Sequence, residues 1–324
     1  MWTHRRPRGR DERTAPRDTT YGFLSLDEGA YFRSQVREAF AERGLEVTIH
    51  ATEVSDSAGR HFALTDLAAV CHHDAGGRGR WPRVIRDHVD RVLRVADGPS
   101  PLDSLPHEEL LTRLRPWVVT ADVLTPDAAA PMAHTHARVV APGLCEVLAL
   151  DLPESVMPLT DEALSSLGDL VDLRRRALAN LRALPLETHS ILHGPDGIRF
   201  HVLTGESFFT SSRALTADQL TRDLTGHDLS PAGALLSMPN RYTLALSPIT
   251  TAIPLLPTLD GMTAFTTANH THAVGPVTPD VYWWHHGILT RLIHHHTGEP
   301  HLTRPAEFDL LLMRLTDDDA GERP

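Results

Sequence analysis

The sequence predicts an α+β protein in which an N-terminal helix-hairpin-helix unit is followed by an antiparallel-rich mixed sheet with helices on one face. Three observations carry this. Extended apolar runs are joined in pairs by tight turns at Pro195-Asp196-Gly197, Pro239-Asn240-Arg241 and His286-Gly287, the signature of hairpins. Stretches with apolar residues at i, i+3 and i+4 alternate with those runs, as amphipathic helices do. Pro99, Pro101 and Pro106 interrupt the chain, which sets a small domain over 21–98 apart from a larger one over 107–315.

Taken in order, residues 1–20 read as a disordered basic tail. Ser25-Leu26-Asp27-Glu28 is a capping box, and Phe32, Val36 and Phe40 follow at helical spacing before Gly44, so 26–43 is expected to be a helix. Leu45, Val47 and Ile49 alternate, and the apolar run from Phe62 to Val70 is their expected hairpin partner across the turn at 55–59. Gly76, Gly77 and Gly79 lead into a helix carrying Val84, Ile85, Val89, Val92 and Leu93. Past the proline break, a short helix over Glu108 to Leu114 and an irregular Pro- and Ala-rich stretch precede a buried strand, Leu144 to Leu150. Thr160 and Asp169 are N-cap residues for two helical pieces separated by Gly168, with Arg174, Arg175 and Arg176 turned to water. Hairpins follow over 187–203, 233–247 and 281–293, with helices ending near Gly226 and running through Leu255, Leu259, Met262 and Phe265. The run Asp317-Asp318-Asp319 marks an acidic tail over 316–324.

Composition narrows the chemistry. The chain has 324 residues and 31 basic side chains, every one of them arginine. Without lysine there is no phosphate-loop GxxxxGK[ST], no Schiff base and no kinase-type nucleotide lysine. Residues 1–17 carry +4 and the remainder −15 of the net −11, so nucleic acid is expected to bind, if at all, through the arginine-rich N-terminus. Cys71 and Cys145 form no CxxC pair, as suits a reduced, cytoplasmic protein. No apolar run has the length of a membrane span, and no signal-peptide core follows the first arginines.

No GxSxG elbow, HExxH or dinucleotide GxGxxG in a strand-helix context is present. Three H-x-H pairs stand out, His134/His136, His270/His272 and His294/His296. On a strand such a pair shares one face and can converge on zinc, so His294 and His296 are the metal candidates. Three polar and aromatic segments mark a binding surface: Ser207 to Ser212, Asn240-Arg241 and Tyr282 to Trp284. The residues singled out are Ser207, Ser211, Asn240, Arg241, Tyr282 and Trp284, expected together at one end of the sheet, where the planar guanidinium would take a carboxylate, a phosphate or a peptide carbonyl.

These segments also carry a resemblance. Leu152-Pro153-Glu154-Ser155-Val156, Ala179-Asn180-Leu181, Phe208 to Leu215, Met238-Pro239-Asn240-Arg241 and Val277 to Trp284 follow one another as in the YtpQ-like family of bacterial proteins, over about residues 140–293. The resemblance implies a cytoplasmic α+β protein and carries over no activity, cofactor or catalytic residue. Two functions follow as expectations. The first is a non-catalytic binding or adaptor protein for a protein or a small anionic ligand, without a cofactor. The second is a metal-dependent, zinc-type hydrolase built on an H-x-H pair.

Overall fold

A computed structural model describes residues 16–121, 134–251, 253–296 and 299–321. It is an α+β protein whose chain divides into two compact units, 1–98 and 99–324. No described helix is long and apolar enough to cross a membrane.

In the first unit, helix α1 (Leu26–Ala41) starts at the expected capping box, with Ser25 and Glu28 bonded reciprocally. A three-stranded meander follows, β1 (Val47–Ile49), β2 (Glu53–Asp56) and β3 (His61–Ala63), then α2 (Thr65–His73) and α3 (Trp81–Asp97). The partner of β1 is therefore β2, and most of the run expected as a strand over 62–70 is helix α2. Leu67, Ala68 and Cys71 of that helix join Phe32, Val36, Ile85 and Val89 in one core. A continuous apolar run does not by itself distinguish strand from helix. The expected tail also ends before position 20. Residues 1–15 lie outside the described residues, but Arg17 pairs with Ser25 and the buried Asp18 takes Arg33 at 2.7 Å.

The second unit opens with two short helices, α4 (Pro101–Ser104), inside the expected linker, and α5 (His107–Arg113). A small antiparallel sheet follows, in the order β4 (Leu114–Thr120), β6 (Leu144–Asp151), β5 (Arg138–Ala141), with β7 (Val156–Pro158) also paired to β6. The stretch expected to be irregular thus supplies two strands, β4 and β5. Helices α6 (Asp161–Leu167) and α7 (Leu170–Arg182) begin at the Thr160 and Asp169 caps and bury Leu164, Leu167, Leu173 and Ala177 against Leu148 and Leu150. Arg174 is not turned to water. It donates to the His136 carbonyl and lies 3.6 Å from Glu146, a buried carboxylate of β6 that also pairs with Arg138.

The main sheet is antiparallel throughout, in the order β14-β13-β12-β10-β11-β9-β8. Its strands are β8 (Thr188–His193), β9 (Arg199–Thr204), β10 (Ala234–Asn240), β11 (Thr243–Pro248), β12 (Val281–His285), β13 (Ile288–His296) and β14 (Glu299–Leu302). The three hairpins form as expected. Helices cover both faces instead of one. Phe200, Val202, Leu235, Ala245 and Trp283 pack with α9 (Leu255–His270) and α10 (Ala306–Gly321). The alternate residues, Leu203, Leu236, Leu244 and Leu246, pack with the turn at Ser211–Thr216, with α8 (Ala217–Thr225) and with the small sheet. Strands buried on both faces lose the apolar-polar alternation that a sheet with one solvated side shows. The acidic run 317–319 is the last part of α10, a helix anchored at the buried Phe308.

Candidate functional site

The β8–β9 hairpin sets the geometry of a cleft of about 520 Å³ between the hairpin, α8 and the end of β11. Hairpin register places Ile191 opposite His201 and His193 opposite Arg199. Residues directly opposite share a face, so His189, Ile191, His193, Arg199 and His201 all lie on the α8 side. Ile198, Pro248 and Ile253 give the cleft apolar walls, and Thr221 and Thr225 line it from α8.

His201 is buried, and its ring stacks on His189 with centroids 5.1 Å apart and planes 7° from parallel. The Nε2 of His189 is 3.0 Å from Nδ1 of His201. Burial, with the nearby His189 and Arg199 charges adding to it, pushes the His201 pKa down to about 4. The ring is thus neutral at physiological pH, one donor and one acceptor nitrogen on a single side chain. Around it stand Arg199, His193 and His227, none of them ion-paired among the described residues, while Asp228 is held by Arg222 at 2.5 Å. The Thr221 and Thr225 hydroxyls donate to the Ala217 and Thr221 carbonyls at 2.8 Å, and Thr225 Oγ1 accepts from His227 N at 3.1 Å, so what remains of both toward the cleft is oxygen lone pair. The C-terminal end of α8 adds partial negative charge on the same side. The cleft is therefore polarised, with cationic and donor groups on the hairpin wall and acceptors on the helix wall.

The residues picked from sequence divide into two places. Ser211 N donates to the Arg241 carbonyl at 3.1 Å, and the Arg241 guanidinium lies over Phe208 and Tyr242, 5.2 and 5.8 Å from the ring centroids. The first two segments are thus neighbours. Their side chains serve the fold: Ser207 Oγ accepts from Phe209 N at 3.2 Å, and Asn240 ties the β10–β11 turn to Tyr242 N and to the Asn269 carbonyl. Ser211 is fully buried. The third segment meets the first through Ala214 and Leu215, which pack with Tyr282 and Trp284, but it lies further along the sheet from Arg241. Tyr282 is buried opposite Leu236, and burial raises its hydroxyl pKa. Trp284 sits opposite Ala234, six positions from Asn240, which is about 20 Å along a strand. It lines a separate cleft of about 240 Å³ with Arg138, Val139 and Ile288.

The described histidines of the first and last pairs face protein partners. His136 is buried against Asp161 at 2.8 Å, and His134 bonds the Leu159 carbonyl. His294 Nδ1 is 3.9 Å from the Asp280 carboxylate, and the His296 side chain lies outside the described residues. Among the described residues no group of three or more His, Cys, Asp or Glu is placed to hold a metal ion.

Asp280 does head a chain that looks like a catalytic triad. His295 Nδ1 is 3.3 Å from Asp280, and its Nε2 is 3.1 Å from Thr267 Oγ1. The Thr267 hydroxyl, however, donates to the Thr263 carbonyl at 2.9 Å, as Thr263, Thr266 and Thr271 donate along the same helix. That backbone acceptor competes with His295 Nε2 for the hydroxyl proton, which holds Thr267 as a helix-bonded threonine rather than a free nucleophile. The chain braces β13 against α9. The thiols are equally unsuited to nucleophilic work, since burial pushes Cys71 up to about 12 and raises Cys145 as well.

Compared with models of protein families, with curated proteins and with solved structures, the chain matches none. The cleft has a sequence signal that pairwise H-x-H scanning passes over. Once Pro195-Asp196-Gly197 is read as the hairpin turn, counting outward from it sets His193 beside Arg199 and brings His189 within diagonal reach of His201.

Proposed function

We propose that this chain is a cytoplasmic, non-catalytic binding protein whose cleft takes a small organic carboxylate. The observation that supports it most is the unpaired Arg199 guanidinium directly opposite His193, at a cleft that also holds the neutral, buried His201. A carboxylate suits the planar guanidinium and the imidazole donors. An apolar body suits Ile198, Pro248 and Ile253, and a hydroxyl or amine at the far end suits the acceptor oxygens of α8. The volume is that of an ordinary small-molecule site. The resemblance to the YtpQ-like family belongs to the same proposal and adds no activity to it.

A thermal-shift panel of hydroxy and amino acids with apolar bodies tests the reading. A subset is expected to raise the melting temperature with saturation, by several degrees at a hundredfold excess over Kd, and Arg199→Ala should lose most of that shift. A panel without any saturable hit, or hits unaffected by Arg199→Ala, overturns it.

A further inference from the structure

The two ends of the main sheet are finished differently. The β14 edge carries Glu299 and Pro300, devices that discourage further strand pairing. The β8 edge, Thr-His-Ser-Ile-Leu-His, has no proline, no acidic or arginine residue and an uninterrupted register with β9. All six of its residues are exposed, Ile191 at 38% and Leu192 at 39% on opposite faces.

The phase of its backbone follows from one bond. Gly194 N–H donates to the Ile198 carbonyl at 2.9 Å, in the same register as the rest of the hairpin. Antiparallel pairs alternate between bonded and non-bonded positions. The even residues of β8 therefore face β9, and the N–H and C=O groups of His189, Ile191 and His193 point outward from the sheet.

We propose that β8 pairs antiparallel with β8 of a second copy of this chain, making one continuous sheet across a two-fold axis. Two identical strands in antiparallel register form a self-complementary interface. The outward groups set that register: Ile191 exchanges both bonds with Ile191 of the second copy, and His189 stands opposite His193. Ile191 is then covered by its own counterpart, and no formal charge of the strand meets a like one, although the chain as a whole carries −11. The pairing brings the two clefts onto one face of the joined sheet, because His189, Ile191 and His193 share the α8 side. An extended foreign peptide would use the same outward groups without this symmetry.

Sedimentation velocity over a range of concentrations, with single-cysteine cross-linking, tests the register. The full chain should shift from monomer toward dimer as concentration rises. Ile191→Lys, which sets like charges opposite each other, should stay monomeric with an unchanged circular dichroism spectrum, as should Ile191→Pro, whose missing N–H serves no bond within the chain. Bonded antiparallel partners lie about 5.5 Å apart at Cα, inside disulfide range. Under mild oxidation Ile191→Cys should therefore give covalent dimer at least tenfold faster than Leu192→Cys, with the buried native cysteines silent. A chain that is monomeric at every concentration, a dimer that survives Ile191→Lys, or equal cross-linking at 191 and 192 overturns the proposal. Anion binding by the monomeric variants is read separately, so failure of the dimer leaves the cleft's function independently measured.

Discussion

Acid should unfold this protein partly through His201, and the size of the effect follows from its burial. The native ring titrates near 4, against 6.5 for an ordinary histidine. Above about pH 6.5 neither the native nor the unfolded chain is protonated at this position, and the native state keeps its full stability. As pH falls toward 4 the unfolded chain takes up a proton that the native chain refuses, so stability drops by about 1.4 kcal/mol per pH unit. Between pH 7.5 and 4.5 the loss at this one residue amounts to about 2.5 kcal/mol. His201→Gln keeps a polar side chain without the titration. Urea unfolding of both proteins at the two pH values isolates the term, because the carboxylates and His88, also held near 4 by burial, are common to both. The wild type should lose about 2.5 kcal/mol more than the variant. Equal losses would refute the claim that His201 is held neutral.

Other expectations are independent of the cleft. Arg33→Met strands the buried Asp18 carboxylate, which Arg33 holds well below the usual carboxylate range, and should cost the first unit about 3 kcal/mol at neutral pH. In urea titrations the deficit should shrink as acid protonates Asp18. Gly275 has φ +62, and a Cβ there would run into Arg241 Nε, so Gly275→Ala should cost about 1–3 kcal/mol, part of it recovered in the Gly275→Ala/Arg241→Ala double variant. Both thiols should resist a disulfide reagent in the native state and react at once in urea. A strong chelator should leave the thermal transition in place, as expected of a chain with its own apolar cores.

Elements announced by local chemistry were legible. The capping box at Ser25, the caps at Thr160 and Asp169 and the turn at Pro195-Asp196-Gly197 each fix backbone within a few residues, and each marks its element. Strand β4 was hidden by Pro116, which argues against a strand but is tolerated at the edge of the small sheet. β2 is four residues with one apolar side chain, too little for a period. Arg174 looked solvated because the buried Glu146 that it approaches lies on another element. For the cleft, the hairpin was legible and its α8 wall was not, since 217–225 meets 193–201 only through packing across the sheet. Arg241 stood out in the sequence for its aromatic neighbours, and those rings are what it packs on.

The most direct test of the binding reading is nitrogen-15 correlation NMR of the histidine rings during titration with the strongest carboxylate from the panel. His193, His201 and His227 should shift together with one Kd, with His295 in its brace and the backbone amides near Arg241 unmoved. Binding that leaves those three rings unchanged, or that moves the backbone amides of Phe208 and Tyr242 beside Arg241 instead, would contradict the assignment of the cleft.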